Sequence, residues 1–172
     1  MKYRQFTHDD CIKYAEDLAD CYKCNRYVLD SQSPLDLSIS HNASKFIDSY
    51  VSGLDSSVLG IFDDNEQFCY GVIIYDSIRF ANRNSAQVHI VTDKAIWGKR
   101  GRDLYDRIID EGCFHVLYCE IPAIATHAIG LCKRLGFKKT GYIPNVIPYV
   151  NSKGQERMYD YQIYTFEKEM VF

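Results

Sequence analysis

Residues 86–137 of the chain read AQVHIVTDKAIWGKRGRDLYDRIIDEGCFHVLYCEIPAIATHAIGLCKRLGF. An alternating apolar strand comes first, followed by a basic loop with two glycines and a segment whose apolar residues have helical spacing. A nearly continuous apolar run over 114–121 is typical of a strand that is covered on both faces. Apolar residues then recur at i, i+4 and i+7 up to Gly136, a residue type that commonly ends helices. The stretch therefore predicts strand, loop, helix, strand and helix, which is an α/β arrangement.

The loop in this stretch is both glycine-containing and basic. Gly98 and Gly101 let the backbone approach a ligand closely, and Lys99, Arg100 and Arg102 add positive charge around it. In a loop that leads into a helix N-terminus, unpaired N–H groups and the positive end of the helix dipole point the same way. The sequence therefore predicts an anion site whose ligand carries phosphate groups.

The beginning of the chain predicts a short strand followed by two helices. Residues 7–10 have the pattern of a capping box, which opens the first helix. Apolar residues at helical spacing give this helix one buried face, formed by Ile12, Ala15, Ala19 and Tyr22. The second helix is expected to begin near Asn42 and to end by Gly53.

The middle of the chain predicts an antiparallel hairpin. Residues 57–62 and 68–74 are rich in β-formers and flank a run of turn residues. Gly71 lies within the second strand, where its missing side chain indicates that another backbone comes close.

The end of the chain predicts two further strands. They cover residues 138–143 and 159–166, and the loop between them carries Pro144 and Pro148. No internal repeat or linker divides the sequence, so we predict a single α/β domain over residues 1–172.

The composition is that of a globular protein. The chain of 172 residues is 47% hydrophobic and 25% charged, and its net charge is −3. This charge argues against general nucleic-acid binding, which needs a basic face. Without a run of about 18 apolar residues or the apolar core of a signal peptide, no membrane span and a cytoplasmic location are expected. Seven irregularly spaced cysteines indicate free thiols, and the lone CxxC of Cys21 and Cys24 has no partner pair, so no metal site is predicted.

The order of predicted elements resembles the GNAT superfamily of acyl-CoA-dependent N-acyltransferases. Residues 125–137 are similar to the family's N-x-x-A-x-x-x-Y-x-x-x-G-F helix, with Ala128, Gly136 and Phe137 at matching positions. The basic loop falls where the family has its pyrophosphate loop, R/Q-x-x-G-x-G/A, and Gly101 fits that pattern.

The resemblance implies a fold and a cofactor. The fold is a mixed, mostly antiparallel central sheet that is flanked by helices and has splayed fourth and fifth strands. In this family the pantetheine arm of the cofactor lies between those strands, so acetyl-CoA or another acyl-CoA is implied. The backbone of two residues would bind the arm, Ile90 and Val91. Five residues would hold the pyrophosphate: Gly98, Lys99, Arg100, Gly101 and Arg102.

Acyl transfer to an amine requires a general base and a general acid. His89 lies on the opposite face of the central strand from Val88 and Ile90 and is one candidate base; a structural histidine is the alternative. Glu120, at the end of the fifth strand, is the second candidate base. Cys132 stands where the family often has Tyr and is the candidate acid for the leaving thiolate; a small core residue is the alternative.

Several positions depart from the family pattern. Ala125 replaces an Asn, Cys132 replaces a Tyr, and Asp103 places a carboxylate near the expected phosphates. Residues 120–145 and 158–166 are also similar to GNAT-like proteins of tailed bacteriophages, some of which are head-assembly or virion proteins.

Three hypotheses about function follow, of which the third is a small-molecule sensor that binds CoA without turnover. In the first, an enzyme moves an acetyl or other acyl group from CoA to an unknown amine. In the second, a catalytically silent GNAT fold binds a phage structural protein, in the host cytoplasm or in the virion. The sequence also leaves open a homo-oligomer that pairs through exposed tyrosines near the C-terminus.

Overall fold

The computed structural model of the protein describes residues 1–24, 35–80, 84–97, 104, 106–108, 114–150 and 155–168. The helices are α1 (His8–Lys13), α2 (Ala15–Cys24), α3 (Ser40–Val51) and α4 (Thr126–Arg134), with a 3₁₀ turn over Lys94–Trp97 and helical residues at 104 and 106–108. The strands are β1 (Lys2–Gln5), β2 (Ser57–Phe62), β3 (Cys69–Arg79), β4 (Ser85–Thr92), β5 (Val116–Pro122), β6 (Lys138–Val150) and β7 (Glu156–Glu167). No helix in these ranges is both long and apolar enough to cross a membrane.

The seven strands form one sheet in the order β1-β2-β3-β4-β5-β7-β6. Every neighbouring pair is antiparallel except β4 and β5, which are parallel. The mixed, mostly antiparallel sheet with flanking helices that the sequence predicted is therefore confirmed.

Each face of the sheet carries its own hydrophobic core. On one face, α1, α2 and α3 pack on strand residues that include Val72 and Val91. On the other face, α4 and the helical residues at 104 and 108 pack on Ile73, Leu117 and Cys119. Successive side chains of a strand point to opposite faces, so this division fixes the face on which each residue of β4 and β5 lies.

The predicted first helix is interrupted at Tyr14. Its capping box is confirmed, because the Thr7 side chain accepts from the Asp10 N–H and the Asp10 carboxylate accepts from the Thr7 N–H. The expected buried face is wrong at Ile12, which is 66% exposed. A 3.6-residue period cannot run through the break between α1 and α2, so Cys11 and Tyr14 are buried in its place.

The strand near the end of the chain is longer than predicted. β6 continues through Pro144 and Pro148, which the sequence assigned to a loop, and Pro148 pairs with Met158 of β7. β6 is the last strand in the sheet, and an edge strand tolerates proline because one side of its backbone needs no ladder donor. The pairing of β6 with β7 shifts register between Ile143 and Ile147, the segment that contains Pro144.

Two glycines singled out by the sequence lie where it predicted. Gly71 has φ 140°, and a Cβ there would collide with the carbonyl oxygen of Val91 on β4. Gly136 has φ 79° and follows α4 directly after the cap residue Leu135, as in a left-handed helix end.

Candidate active site

The strands β4 and β5 separate along their length. Their parallel ladder has only three pairs, which end at Gln87 and Tyr118, although β4 continues to Thr92 and β5 to Pro122. We call the gap between residues 88–92 of β4 and 119–122 of β5 the wedge. Over this length, the backbone of β4 that faces β5 has no ladder partner on that strand. The predicted splay of the fourth and fifth strands is thus confirmed.

The wedge has candidate bases on one face of the sheet and thiols on the other. Val88 packs with Cys119 and Ile121 in the core beside α4. Because side chains alternate along a strand, His89 and Glu120 point to the opposite face of the sheet. Side chains on opposite faces of the sheet could therefore exchange protons with an acceptor and with a leaving thiolate.

His89 is mostly enclosed and lies beside a carboxylate. Its side chain is 13% exposed, and its Nε2 lies 4.0 Å from Oδ2 of Asp76 on β3. The centroid of its ring lies 6.2 Å from that of Tyr50 on α3. Burial lowers the pKa of His89 and outweighs the opposing effect of Asp76. His89 is therefore neutral at pH 7, the form in which an imidazole can accept a proton.

Glu120 lies on β5 across the wedge from His89. Gln87 pairs with Tyr118, so the parallel register extended by two residues places Glu120 at the position facing His89. Glu120 is half-buried and pairs on its other side with Ile163 of β7. The two candidate bases that the sequence named thus share a face of the sheet and line opposite walls of the wedge.

Cys132 lies in the core on the other face of the sheet. Its sulfur lies 3.4 Å from that of Cys119 on β5, and both residues are buried thiols. The hydrogen bond between them and burial raise the pKa of Cys119 far above its usual range. The same bond lowers the pKa of Cys132, against the effect of burial. The fold thus separates Cys132 from both candidate bases and gives it a partner that favours its thiolate.

Three residues near these groups were missed by the sequence analysis. Asp76 and Tyr50 contact His89 from β3 and α3, and Tyr164 on β7 is the cross-strand partner of Cys119. The Tyr164 hydroxyl donates to Oε1 of Gln162 at 2.9 Å, and burial followed by the two thiols raises the pKa of Tyr164. Strand pairing and the packing of α3 on the sheet bring these residues together, so no local sequence signal could have identified them.

The predicted cofactor residues fall into two groups. Ile90 and Val91 lie on β4 beyond the last ladder pair with β5, so their backbone runs along the wedge. The loop residues Gly98, Lys99, Arg100, Gly101 and Arg102 lie outside the described residues. Ile96 precedes this loop and Leu104 follows it, and both are buried in the core beside α4.

Comparisons with known proteins agree with this architecture. No family model matches the chain, and no curated protein is significantly similar to it in sequence. Among solved structures, a spermidine N-acetyltransferase from Vibrio cholerae in complex with CoA and spermine is similar at a TM-score of 0.71 and 16% identity, covering 96% of this chain and 94% of that one. A GNAT-family acetyltransferase from Bacillus anthracis is similar at a TM-score of 0.65 and 13% identity, covering 96% and 93%. The chain thus has the fold of GNAT acetyltransferases, over nearly its whole length.

Proposed function

We propose that this protein is an acyl-CoA-dependent N-acyltransferase that moves an acetyl group to an amine. The separation of β4 and β5 beyond Gln87 and Tyr118 carries the proposal. A parallel pair inside a sheet normally continues its hydrogen bonds, since unpaired backbone groups in a protein interior are costly. A gap in this position provides donors and acceptors for an extended ligand that takes the place of a strand.

The chemistry of the pantetheine arm of CoA suits the wedge. The arm is extended and carries two amide groups, which can pair with backbone groups as a peptide strand does. Ile90 would supply such backbone groups on β4, whereas those of Val91, which lies opposite Val72, face β3. The basic loop, Gly98 to Arg102, follows β4 and would neutralise the pyrophosphate. When bound, the cofactor supplies an acyl group that is already activated as a thioester.

The side chains of the wedge would provide the acid–base chemistry. Neutral His89, assisted by Glu120 on the opposite wall, would accept the proton that the attacking amine loses. Cys132 would return a proton to the leaving thiolate from the other face of the sheet. The hydrogen bond with Cys119 lowers the pKa of Cys132.

Polyamines are the first acceptors to test. The neighbouring structure from Vibrio cholerae is a spermidine N-acetyltransferase in complex with CoA and spermine. The side chain of Asp76 gives the candidate acceptor face of this chain a carboxylate beside His89. The second hypothesis, a silent phage head-assembly protein, draws no support from the comparisons, and no described contact favours it.

Thermal unfolding with and without acetyl-CoA tests cofactor binding. A ligand at 100 times its dissociation constant stabilises the native state by about 2.7 kcal/mol. For a chain of this size, we expect the melting temperature to rise by about 5–10 °C. Gly101→Glu should abolish the rise because it adds bulk and negative charge to the basic loop. Gly141→Glu on β6, two strands away from the wedge, is the control and should retain it.

Turnover is tested by following free CoA thiol with acetyl-CoA and spermidine or spermine as substrates. We expect His89→Gln to lower turnover about 10²–10⁴-fold while leaving the acetyl-CoA melting shift intact. Failure of millimolar acetyl-CoA to shift the melting temperature of the unmodified protein would overturn the proposed function.

A further inference from the structure

We infer that Asp76 forms an anionic subsite that holds the ammonium group of the acceptor beside His89. The inference rests on the proposed function, because it assigns the charge of the acceptor and the residue that selects it. The carboxylate lies on β3, on the same face of the sheet as His89, and it is 27% exposed. His89 is more deeply buried and its Nε2 has almost no accessible surface, so Asp76 is the more accessible of the two groups to a molecule from solvent.

The backbone at Asp76 is shaped to present this carboxylate. The register of β3 with β4 shifts between Asp76 and Arg79, and Ser77 has φ 52°, in the left-handed region. Bulges are over-represented next to active sites, where they re-aim a side chain. Oδ1 of Asp76 accepts a hydrogen bond from the Ser77 N–H at 2.6 Å, which fixes the carboxylate with Oδ2 nearest to His89.

The spacing between Asp76 and His89 suits a bridging nitrogen. Oδ2 and Nε2 are 4.0 Å apart, which is too long for a direct hydrogen bond. A nitrogen about 2.8 Å from both atoms subtends an angle of roughly 90°, which bent hydrogen bonds from one ammonium can span. Such a nitrogen would donate one proton to the carboxylate and present another to the imidazole.

An aromatic wall completes the subsite. The Tyr50 ring on α3 lies beside His89 and makes an edge contact with Phe46, with ring centroids 5.3 Å apart. Phe46 in turn contacts Tyr22 of α2. A carboxylate with an aromatic ring beside it favours an alkylammonium over a neutral or anionic group, since both attract positive charge. Asp76 also lies close enough to Tyr50 to raise the pKa of that phenol, after burial.

The test follows the imidazole signals of the full chain by NMR at pH 7.5 while spermidine is added, with His89→Gln to assign the His89 signal. We expect a saturable shift of that signal in the unmodified protein. Asp76→Asn keeps the hydrogen bond from Ser77 but removes the charge, and it should weaken spermidine binding at least tenfold. Asp20→Asn removes the same charge from an exposed position on α2 and should leave binding unchanged.

Three results would overturn the inference. They are the absence of any spermidine-dependent shift at His89, equal affinity in Asp76→Asn, and a loss of affinity in Glu120→Gln that exceeds the loss in Asp76→Asn. Acetyl-CoA binding is measured separately. If spermidine shifts the His89 signal through Asp76 but acetyl-CoA does not bind, the proposed function fails and the subsite stands. If acetyl-CoA binds but spermidine causes no shift that depends on Asp76, only the subsite fails.

Discussion

The sulfur atoms of Cys119 and Cys132 lie 3.4 Å apart, where β5 contacts α4. Both thiols are buried, and Tyr164 is the cross-strand neighbour of Cys119. This contact places a thiol pair on the face of the wedge opposite to His89. It also provides a matched pair of variants, because either substitution removes the same contact.

We predict that Cys132→Ala slows acyl transfer about 10²–10⁴-fold without changing acetyl-CoA affinity, since it removes the candidate acid. Cys119→Ala loses the same sulfur contact, at a similar stability cost of about 1–2 kcal/mol, and should slow turnover less than Cys132→Ala because it keeps the candidate acid. Steady-state rates and melting curves of both variants are the measurements. If Cys132→Ala turns over as fast as the unmodified protein, Cys132 is not the general acid. A loss of turnover in Tyr164→Phe would then assign the acid role to Tyr164.

Two histidines should titrate on opposite sides of the ordinary value of about 6.5. Nδ1 of His8 lies 2.7 Å from Oδ1 of Asp48, and this hydrogen bond raises the pKa of His8. Burial lowers the pKa of His89. NMR titration of the imidazole signals checks both directions, and Asp48→Asn should lower the pKa of His8 toward the ordinary value without moving that of His89.

These opposite shifts give opposite dependences of stability on pH. The His8 contribution is fully present below pH 6.5 and is lost as the pH rises through the raised pKa. Because the folded state disfavours protonated His89, the contribution of His89 to stability is present above pH 6.5 and is lost as the pH falls below that value. We predict that His89→Gln loses less unfolding free energy than the unmodified protein between pH 7.5 and 5.5. Urea unfolding at the two pH values measures this, and parallel losses would contradict it.

Asp10 ties β1 to the start of α1. Its Oδ2 accepts from Arg4 Nη1 at 2.6 Å and from the Thr7 N–H at 2.9 Å, and its Oδ1 accepts from Arg4 Nη2 at 2.9 Å. We predict that Asp10→Ala lowers the unfolding free energy by about 2–3 kcal/mol, because it removes a cap and a partly buried ion pair. Asp9→Ala, an exposed change in the same helical turn, should cost much less.

The same contact predicts an acid sensitivity. Burial raises the pKa of Asp10, but the hydrogen bonds from Arg4 and Thr7 outweigh burial and lower it. The contribution of Asp10 is therefore present above the unfolded value of about 3.9 and is lost as the pH falls through the folded value. Between pH 5 and pH 2, the free energy of unfolding should decrease less for Asp10→Ala than for the unmodified protein. Urea unfolding at each pH measures it.

Replacement of Gly71 should destabilise the central hairpin. We predict that Gly71→Ala lowers the unfolding free energy by about 2 kcal/mol or more, since its φ of 140° is unfavourable for Ala and the added Cβ meets Val91 O. In Gly141→Ala, the added Cβ makes only ordinary contacts with Ile163, at 3.5 Å and beyond. Similar stability of the two variants in urea would contradict this account.

The sequence by itself determined the features that depend on neighbouring residues. The capping box at Thr7, the antiparallel hairpin around Asp63 and the helix end at Gly136 all follow from local chemistry, and each lies where it was predicted. The α/β class follows from the order of strand, loop, helix, strand and helix along residues 86–137.

Only the tertiary structure decided which distant residues meet. The break at Tyr14 exposes Ile12, the edge position of β6 lets the strand pass through two prolines, and the pairing of β3 with β4 brings the carboxylate of Asp76 to His89. Each outcome depends on strand pairing and packing between segments that are far apart in the chain. Periodicity and spacing report only on interactions within a few residues, so they could name His89 and Cys132 but not the partners that set their charge.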